Sequence, residues 1–159
     1  MNSSQEIVER FVNSGFRHMD NIPNNRVFYT DNSASTIVWV EKNVVIEYYL
    51  LFPNKLTPLH SHPFKNQIIF MGGDLTGKVR KDKDSPIMTV HLTKDMIGKI
   101  RSILPEGFEH GFETGPLGAV VYNIQYWPEN VVNPLSAALN YFGEPMGEIH
   151  ERFLKLCKQ

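Results

Sequence analysis

The stretch "PLHSHPFKNQIIFMGG" at residues 58–73 decides the fold, because it joins a pair of histidines to a strongly apolar run. On a β-strand, His60 and His62 project from the same face, since side chains alternate with a period of two. Two imidazoles so placed reach one metal ion at about 2.0–2.1 Å. Gln67 begins the apolar run after a turn through residues 63–66, and its amide oxygen is able to join them. The stretch therefore predicts a strand that delivers side chains to a metal.

The sequence on both sides of this stretch is a series of short β-rich runs, each bounded by Gly, Pro, Asn or Asp. This pattern is typical of an all-β sandwich or barrel. The triplets "EKN" (41–43) and "GGD" (72–74) predict tight hairpin turns. The predicted strands cover 36–41, 44–52, 66–73, 75–81, 87–92, 98–104 and 117–127, with a brief strand at 27–29. We expect one β core over about 36–127.

Helical patterns flank the predicted β core. Ser3 and Glu6 form a capping box, and the apolar residues that follow at helical spacing predict a helix over about 3–14. Asn133 and Pro134 predict the start of a second helix, which runs to about 142. An amphipathic segment at 148–158 completes the C-terminal helices, which together cover about 134–158. With no internal repeat and no long linker, we expect residues 1–159 to form a single domain.

The composition excludes several classes of partner. Sixteen basic and seventeen acidic residues give a formal charge of -1, which favours neither nucleic acid nor an anionic membrane surface. Cys157 is the only cysteine, so no intrachain disulfide is possible, and a reducing cytoplasm is the expected location. The first residues lack the apolar core of a signal peptide. The longest apolar run, 44–52, carries Glu47 and is too short to span a bilayer.

A second histidine motif lies about fifty residues after the first. The segment "LPEGFEHGFE" (104–113) places His110 after a Pro-x-Gly turn, at the entry to another β segment. The remaining histidines, His18, His91 and His150, have no such pattern, and we expect them to have surface or structural roles.

Both motifs resemble those of the cupin superfamily. The spacing His60-x-His62-x4-Gln67, followed by Gly72 and Gly73, is similar to the first cupin motif. The segment 98–114 resembles the second, with Gly98, Pro105, Gly107 and His110 in register. The resemblance covers about 36–127 and implies a double-stranded β-helix, a small jelly-roll barrel with the terminal helices on its periphery. It also implies one divalent metal ion per chain, held by the three histidines inside the barrel.

The chain departs from the cupin pattern at several positions. Asn54 stands where the first motif usually has a glycine, and Thr114 where an asparagine often follows the second. The segment from Gly98 to Pro105 is one residue longer than usual. Gln67 occupies the place of the common glutamate ligand, so the resemblance implies either three histidines alone or three histidines and an amide oxygen. A glutamine at this place also occurs in small cupins that open the rings of unsaturated uronic acids.

A site made of neutral ligands has an electrostatic consequence. Glutamate would cancel part of the charge of a divalent ion, whereas imidazole and amide donors leave it whole. Such a centre is expected to prefer a small organic anion as substrate. The donor types suit Fe, Zn, Ni or Mn, and the sequence leaves the choice open.

Five further residues are candidates for binding the substrate. Phe108 shares the strand parity of His110, and Phe64 is expected in the core or the pocket wall. Along 117–127, either the set containing Tyr122 or the set containing Gln125 faces inward, and parity leaves this open. Arg101 lies in an otherwise apolar segment, where an inward guanidinium would grip a carboxylate. Arg101 and Tyr122 are also the candidates for a catalytic role.

These features predict a metal-dependent cupin enzyme that acts on a small anionic molecule. With Fe(II), the resemblance implies a three-histidine dioxygenase, the reading it favours. With Zn, Ni or Mn, it implies an isomerase or lyase of the uronate ring-opening type. The alternative from another class is a non-catalytic module that binds a small molecule, and a metal-free sugar epimerase fits the intact histidine set less well. We expect a homodimer, because helices at both ends and exposed sheet edges favour self-association.

Overall fold

The fold is an antiparallel β-sheet that wraps around a cavity, with one helix on its outer face and another near one end. The computed structural model describes residues 3–143 of the 159. The strands are β1 (Phe28–Tyr29), β2 (Ser33–Glu41), β3 (Val44–Leu51), β4 (Leu56–His60), β5 (Lys65–Arg80), β6 (Met88–Leu92) and β7 (Glu109–Tyr126). They are flanked by helix α1 (Ser3–Asn13), helix α2 (Pro134–Gly143) and a 3₁₀ turn at Lys94–Met96. The strand order is β1-β2-β3-β7-β5-β6, and β4 pairs with β7 beside this path.

Strands β5 and β7 hold the two halves of the barrel together. The first part of β7 pairs with β4 and with the end of β5, whereas its second part pairs with β3 and with the start of β5. The register of β5 against β7 shifts around Gly72 and Gly73, where both strands bend. A Cβ on Gly73 would lie 2.3 Å from the carbonyl oxygen of Gly118, so the two backbones pass too closely there for a side chain. Each long strand can therefore contribute residues to both halves.

Helix α1 covers the outer face of the sheet. Its apolar residues Ile7, Val8 and Phe11 are fully buried against a cluster that includes Ile46 and Ile124. Burying side chains of this size stabilises the fold by about 1.5–3 kcal/mol each. Because α1 takes the outer face, the opposite faces of β3, β5 and β7 are left to form the barrel interior.

Helix α2 packs near one end of the barrel. Its Ala138 is fully buried in a cluster with Ile37, Val45, Phe64 and Trp127. Tyr141 extends from the same helix into the cavity, where it contacts His62. Neither of the helices within residues 3–143 has the length and apolar character needed to cross a membrane.

The predicted all-β fold with peripheral helices is confirmed, but several local predictions are wrong. The "EKN" triplet does form a hairpin turn, in which Lys42 has a φ of 52°. The "GGD" triplet forms no turn and lies within the continuous strand β5. Residues 98–104 are not a strand and make only two isolated bridges to β5. The segment 148–158, predicted as helical, lies outside the described residues.

Candidate metal centre

Three histidines from different parts of the chain meet inside the barrel. His60 is the last residue of β4 and lies opposite His110 of β7 in the ladder register, and His62 follows in the connection to β5. The ring centroids are 4.6 Å apart for His60 and His110 and 4.8 Å apart for the other two pairs. One ring nitrogen from each histidine can be chosen so that all three lie within 4.8 Å of one another. The structure thus brings together the three histidines that the two motifs predicted.

The surroundings keep these imidazoles neutral. Burial lowers the pKa of His60. It lowers the pKa of His62 well below its ordinary value, with further lowering by the neighbouring His110 and His60. Burial also lowers the pKa of His110 to about 3, and the charge of His60 adds to the effect. Neutral imidazole is the form that binds a metal, so the lone pairs are available at neutral pH.

Hydrogen bonds orient two of the three rings. Nδ1 of His60 lies 2.8 Å from the carbonyl oxygen of Pro58, which can only accept, so Nδ1 carries the proton and Nε2 the lone pair. Nδ1 of His62 lies 2.5 Å from the hydroxyl oxygen of Tyr141. The ring of His62 also stacks on Phe64, with a centroid distance of 4.8 Å and an interplanar angle of 4°. Such outer contacts are the usual way in which a protein fixes a ligating imidazole.

The donor set fits a divalent transition metal. Nδ1 of His110 is buried and makes no well-formed hydrogen bond within residues 3–143, although the Phe108 backbone partly opposes the lowering of the His110 pKa. Three neutral nitrogen donors at this separation match the ligand preference of Zn, Fe and Ni, whereas Mn would call for additional oxygen ligands. The three histidines would hold such an ion, and the neutral donors would leave its charge available to an incoming anion.

A cavity of about 580 Å³ opens in front of the three histidines. Its wall combines apolar side chains such as Ile68, Phe112 and Val121 with the amides of Asn66 and Asn123. Hydroxyl groups, among them that of Tyr141, complete it. Within the described part of the chain, no Lys, Arg, Asp or Glu lines this cavity. The volume is that of an ordinary small-molecule site, and its wall is neutral.

The structure places Gln67 away from the histidines, contrary to the prediction. Gln67 Oε1 accepts a hydrogen bond from the Tyr126 hydroxyl at 2.6 Å, and its Nε2 donates to the Arg101 carbonyl at 2.5 Å. Gln67 instead borders a smaller groove beside α1, which it shares with Val8. Adjacent strand residues face opposite ways, so it is Asn66 that lines the cavity. The expectation that Gln67 enters the site is therefore corrected to Asn66.

Tyr122, Arg101 and Phe108 also lie apart from the cavity wall. Tyr122 faces outward, where it stacks on Phe16 and its hydroxyl lies 2.8 Å from Nε2 of His18. This outward position resolves the parity that the sequence left open and corrects the prediction of a substrate contact. Arg101 meets β5 through its backbone, with its N–H donating to the Ile68 carbonyl, and it does not line the cavity. Phe108 precedes β7 and is likewise not part of the wall.

Phe64 and Gln125 lie in the protein interior close to the cavity, but they are not part of its wall. Phe64 is fully buried and forms the surface on which His62 stacks. Gln125 is completely buried and does not reach the cavity. Its side chain takes part in a set of buried hydrogen bonds that includes Glu47 and Asn123. Asn123, on the same face of β7, does line the cavity.

Glu47 is the functional candidate that sequence reasoning missed. It lies on β3 opposite Asn123 and is 1% exposed. Burial raises its pKa to about 7, although hydrogen bonds from Asn123 and Gln125 oppose the shift. In the sequence, the only sign of this role for Glu47 is that it is the single acidic residue within the apolar run 44–52. A carboxyl at such a position is seldom buried without a specific set of partners.

The comparisons with known proteins give likenesses in structure. No protein-family model matches the chain, and no curated protein matches it in sequence. A variant of oxalate decarboxylase from Bacillus subtilis has a TM-score of 0.55 and 15% identity over 76% of this chain and 35% of that chain. The Lactobacillus farciminis oxalate decarboxylase in complex with formate has a TM-score of 0.55 and 10% identity, over 71% and 36% of the two chains. CapF with the inhibitor 3-isopropenyl-tropolone has a TM-score of 0.55 and 15% identity, over 72% and 34%.

The likeness to these solved structures is one of architecture and covers only part of each of them. The chain spans about a third of the length of each of them. Oxalate decarboxylase and CapF are both cupins. At these identities the likeness concerns the architecture, which agrees with the strand topology and the grouping of the three histidines. The resemblance inferred from the sequence is thus confirmed, and the chain has the cupin fold.

Proposed function

We propose that the protein is a metal-dependent cupin enzyme that acts on a small organic anion. The observation that carries this proposal is the group of three neutral imidazoles, with nitrogens within 4.8 Å, facing a cavity of about 580 Å³. His60, His62 and His110 would hold one divalent ion. Asn66 replaces Gln67 as the candidate for an additional neutral ligand, because it lines the same cavity.

The charge of the cavity supports an anionic substrate. The side chains that line the cavity are neutral. Within the described residues, no Lys or Arg of the wall is available to bind a carboxylate. A divalent ion bound by the histidines supplies that charge and polarises the bound group. Binding of an anion should therefore depend strictly on the metal.

The chain's own residues prepare the site for this chemistry. The Pro58 carbonyl holds His60, while Tyr141 and Phe64 hold His62 from two sides. Apolar side chains of β5 and β7 line part of the cavity, and an apolar wall strengthens electrostatic interactions beside it. Burial, together with the charge of Glu47, raises the pKa of Tyr141, so its hydroxyl keeps its proton and acts through hydrogen bonding.

The neutral wall favours a dioxygenase with Fe(II) as the reaction. Fe(II) held by the histidines would activate dioxygen, both of whose atoms would enter the substrate as it is oxidised, and no side chain of the wall would have to abstract a proton. The second candidate is an isomerase or lyase with Zn, Ni or Mn, and it rests on a separate observation. Glu47 has a pKa of about 7 and contacts Asn123 of the wall, which places a proton-exchanging group directly behind the cavity.

Metal analysis tests the proposal first. The protein is purified without chelators or a nickel resin, beside a His60→Ala/His62→Ala variant, and its metals are quantified by mass spectrometry. We expect one equivalent of a transition metal per chain, lost in the double variant. A His91→Ala variant is the matched control, because His91 is exposed and bonds only to Thr76 among the described hydrogen bonds. Absence of metal after reconstitution in every form would leave a binding module instead of this enzyme.

The identity of the metal then selects the assay. Iron directs the work to oxygen uptake with dicarbonyl and aromatic acids, and stoichiometric uptake supports the dioxygenase. Zinc, nickel or manganese directs it to isomerisation and elimination assays on acidic sugars. The iron-loaded protein is expected to convert an organic acid only with oxygen. If it converts none, and the manganese-loaded protein converts an acid in the absence of oxygen, the isomerase or lyase replaces the dioxygenase as the proposed function.

A further inference from the structure

A chain of polar side chains, buried except for the half-buried Asn123, runs from the end of β7 to the cavity, and its hydrogen bonds have a fixed direction. The buried polar chain consists of Trp127, Gln125, Glu47, Asn123 and Asn66. The indole N–H of Trp127 donates to Gln125 Oε1 at 2.8 Å, and an indole can only donate. This bond sets the orientation of the Gln125 amide, whose Nε2 then donates to Glu47 Oε1.

The same direction continues to the cavity wall. Asn123 Nδ2 donates to Glu47 Oε1 at 2.9 Å, so its carbonyl oxygen is on the side away from Glu47. Asn66 Nδ2 lies 3.4 Å from that oxygen, which is long for a hydrogen bond and leaves Asn123 Oδ1 with accepting capacity. Asn66 Oδ1 makes no hydrogen bond within the described residues. Both asparagines line the cavity, so this part of the wall offers acceptor oxygens.

We infer that Asn123 is a specificity-determining residue that recognises a hydroxyl group on the substrate. This inference rests on the proposed function, in which the anionic end of the substrate is held at the histidines. An acceptor oxygen in a half-buried wall is satisfied by a ligand that donates a proton, and it is left unpaired by one that cannot. The substrate class is then a small hydroxylated carboxylate, with the hydroxyl directed to Asn123 Oδ1.

Glu47 is the positioning residue of this arrangement. Without an acceptor at this place, the Asn123 amide could rotate and present its NH₂ group to the cavity. The selectivity of the wall would then change from hydrogen-bond donors to acceptors. The indole of Trp127 fixes the direction of the hydrogen bonds at the other end of the chain, because it orients the Gln125 amide that also donates to Glu47.

The experiment compares matched ligands on the zinc-loaded protein, since zinc supports binding without oxidation. The probes are the three hydroxybenzoates and their methyl ethers, together with 3-hydroxybutanoate and 3-methoxybutanoate, and binding is measured by calorimetry. We expect at least one hydroxyl compound to bind about tenfold more tightly than its ether, the ratio of one hydrogen bond. Asn123→Leu should abolish this gap.

Controls separate the possible failures. His91→Ala, at an exposed position outside the cavity wall, should leave the gap unchanged. If Asn123→Leu does not fold, Glu47→Met provides the second test, because it removes the acceptor that orients the Asn123 amide and should narrow the gap. Equal binding of every pair, or a gap that survives Asn123→Leu, overturns the inference and leaves the proposed function intact. If zinc or all the carboxylates fail to bind, the proposed function falls and the inference falls with it.

Discussion

At the scale of single residues, the most informative group is the carboxyl of Glu47. It is fully enclosed, and burial raises its pKa to about 7 against an ordinary value of 4.5. Between these two pH values, the folded protein keeps the proton that the unfolded chain has lost. The contribution of Glu47 to stability is therefore complete below pH 4.5 and declines as the pH rises to 7.

The variant Glu47→Gln should remove this dependence. The difference in unfolding free energy between the wild type and the variant should fall by about 3 kcal/mol from pH 4.5 to 7. Urea unfolding in the presence of a chelator measures it. The contribution of the three histidines to the unfolding free energy also falls as the pH drops below 6.5, because their pKa values are lowered in the folded state. This contribution is the same in the wild type and the variant, so it cancels in the difference. Parallel curves would mean that folding does not raise the pKa of Glu47. Glu9→Gln on the exposed face of α1 controls for the lost charge.

A second prediction concerns the hydroxyl of Tyr141. Tyr141→Phe keeps the ring beside His62 but removes the partner of its Nδ1. We expect metal affinity to fall by about 10–100-fold, measured by competition with a coloured chelator. Tyr48→Phe is the control, because Tyr48 packs against His18 and Tyr122 outside the cavity. Unchanged affinity in the Tyr141 variant would show that the stacking on Phe64 alone holds His62.

At the scale of secondary-structure elements, the bend in β5 and β7 decides which residues reach the site. Gly73 has a φ of 100°, and a Cβ there would meet the Gly118 carbonyl at 2.3 Å. Gly73→Ala should therefore lower the unfolding free energy by about 3 kcal/mol or more, from a backbone clash added to conformational strain. Gly15→Ala has a similar positive φ but nothing within 4 Å, and should cost only about 1 kcal/mol. Equal losses in urea unfolding would show that strain alone matters.

The same elements show what sequence patterns can and cannot predict. Alternation and turn residues identified most strands, and the histidine spacing identified the three histidines that meet inside the barrel. The face of β5 was misassigned, because the length of the turn after His62 fixes parity and a shift of one residue exchanges Asn66 for Gln67. "GGD" wrongly predicts a turn, because the sequence does not distinguish glycines that permit a close crossing of strands from glycines that permit a hairpin. Residues 98–104 have strand-like composition but make only two isolated bridges to β5.

At the scale of the whole molecule, a metal should couple the three histidines to global stability. A ligand that binds only the folded state, present at one hundred times its dissociation constant, stabilises by about 2.7 kcal/mol. For a chain of this size that corresponds to a rise of roughly 5–10 °C in Tm. We expect this rise on adding zinc to chelator-treated protein, and no rise in the His60→Ala/His62→Ala variant. A similar rise in both would place the zinc elsewhere.

The expected homodimer stays a prediction at this scale. Sedimentation velocity over a range of concentrations tests it, and a single species of 18.3 kDa throughout would exclude it.

The position of Trp127 gives the protein a built-in optical reporter. Of its two tryptophans, Trp39 lies on the outer face beside Phe11, whereas Trp127 contacts Phe64 and Tyr141, both of which touch His62. Replacing Trp39 by phenylalanine would leave a single emitter whose nearest aromatic neighbours adjoin the histidines. Its fluorescence would then record occupancy of the barrel in real time, without a label and without turnover.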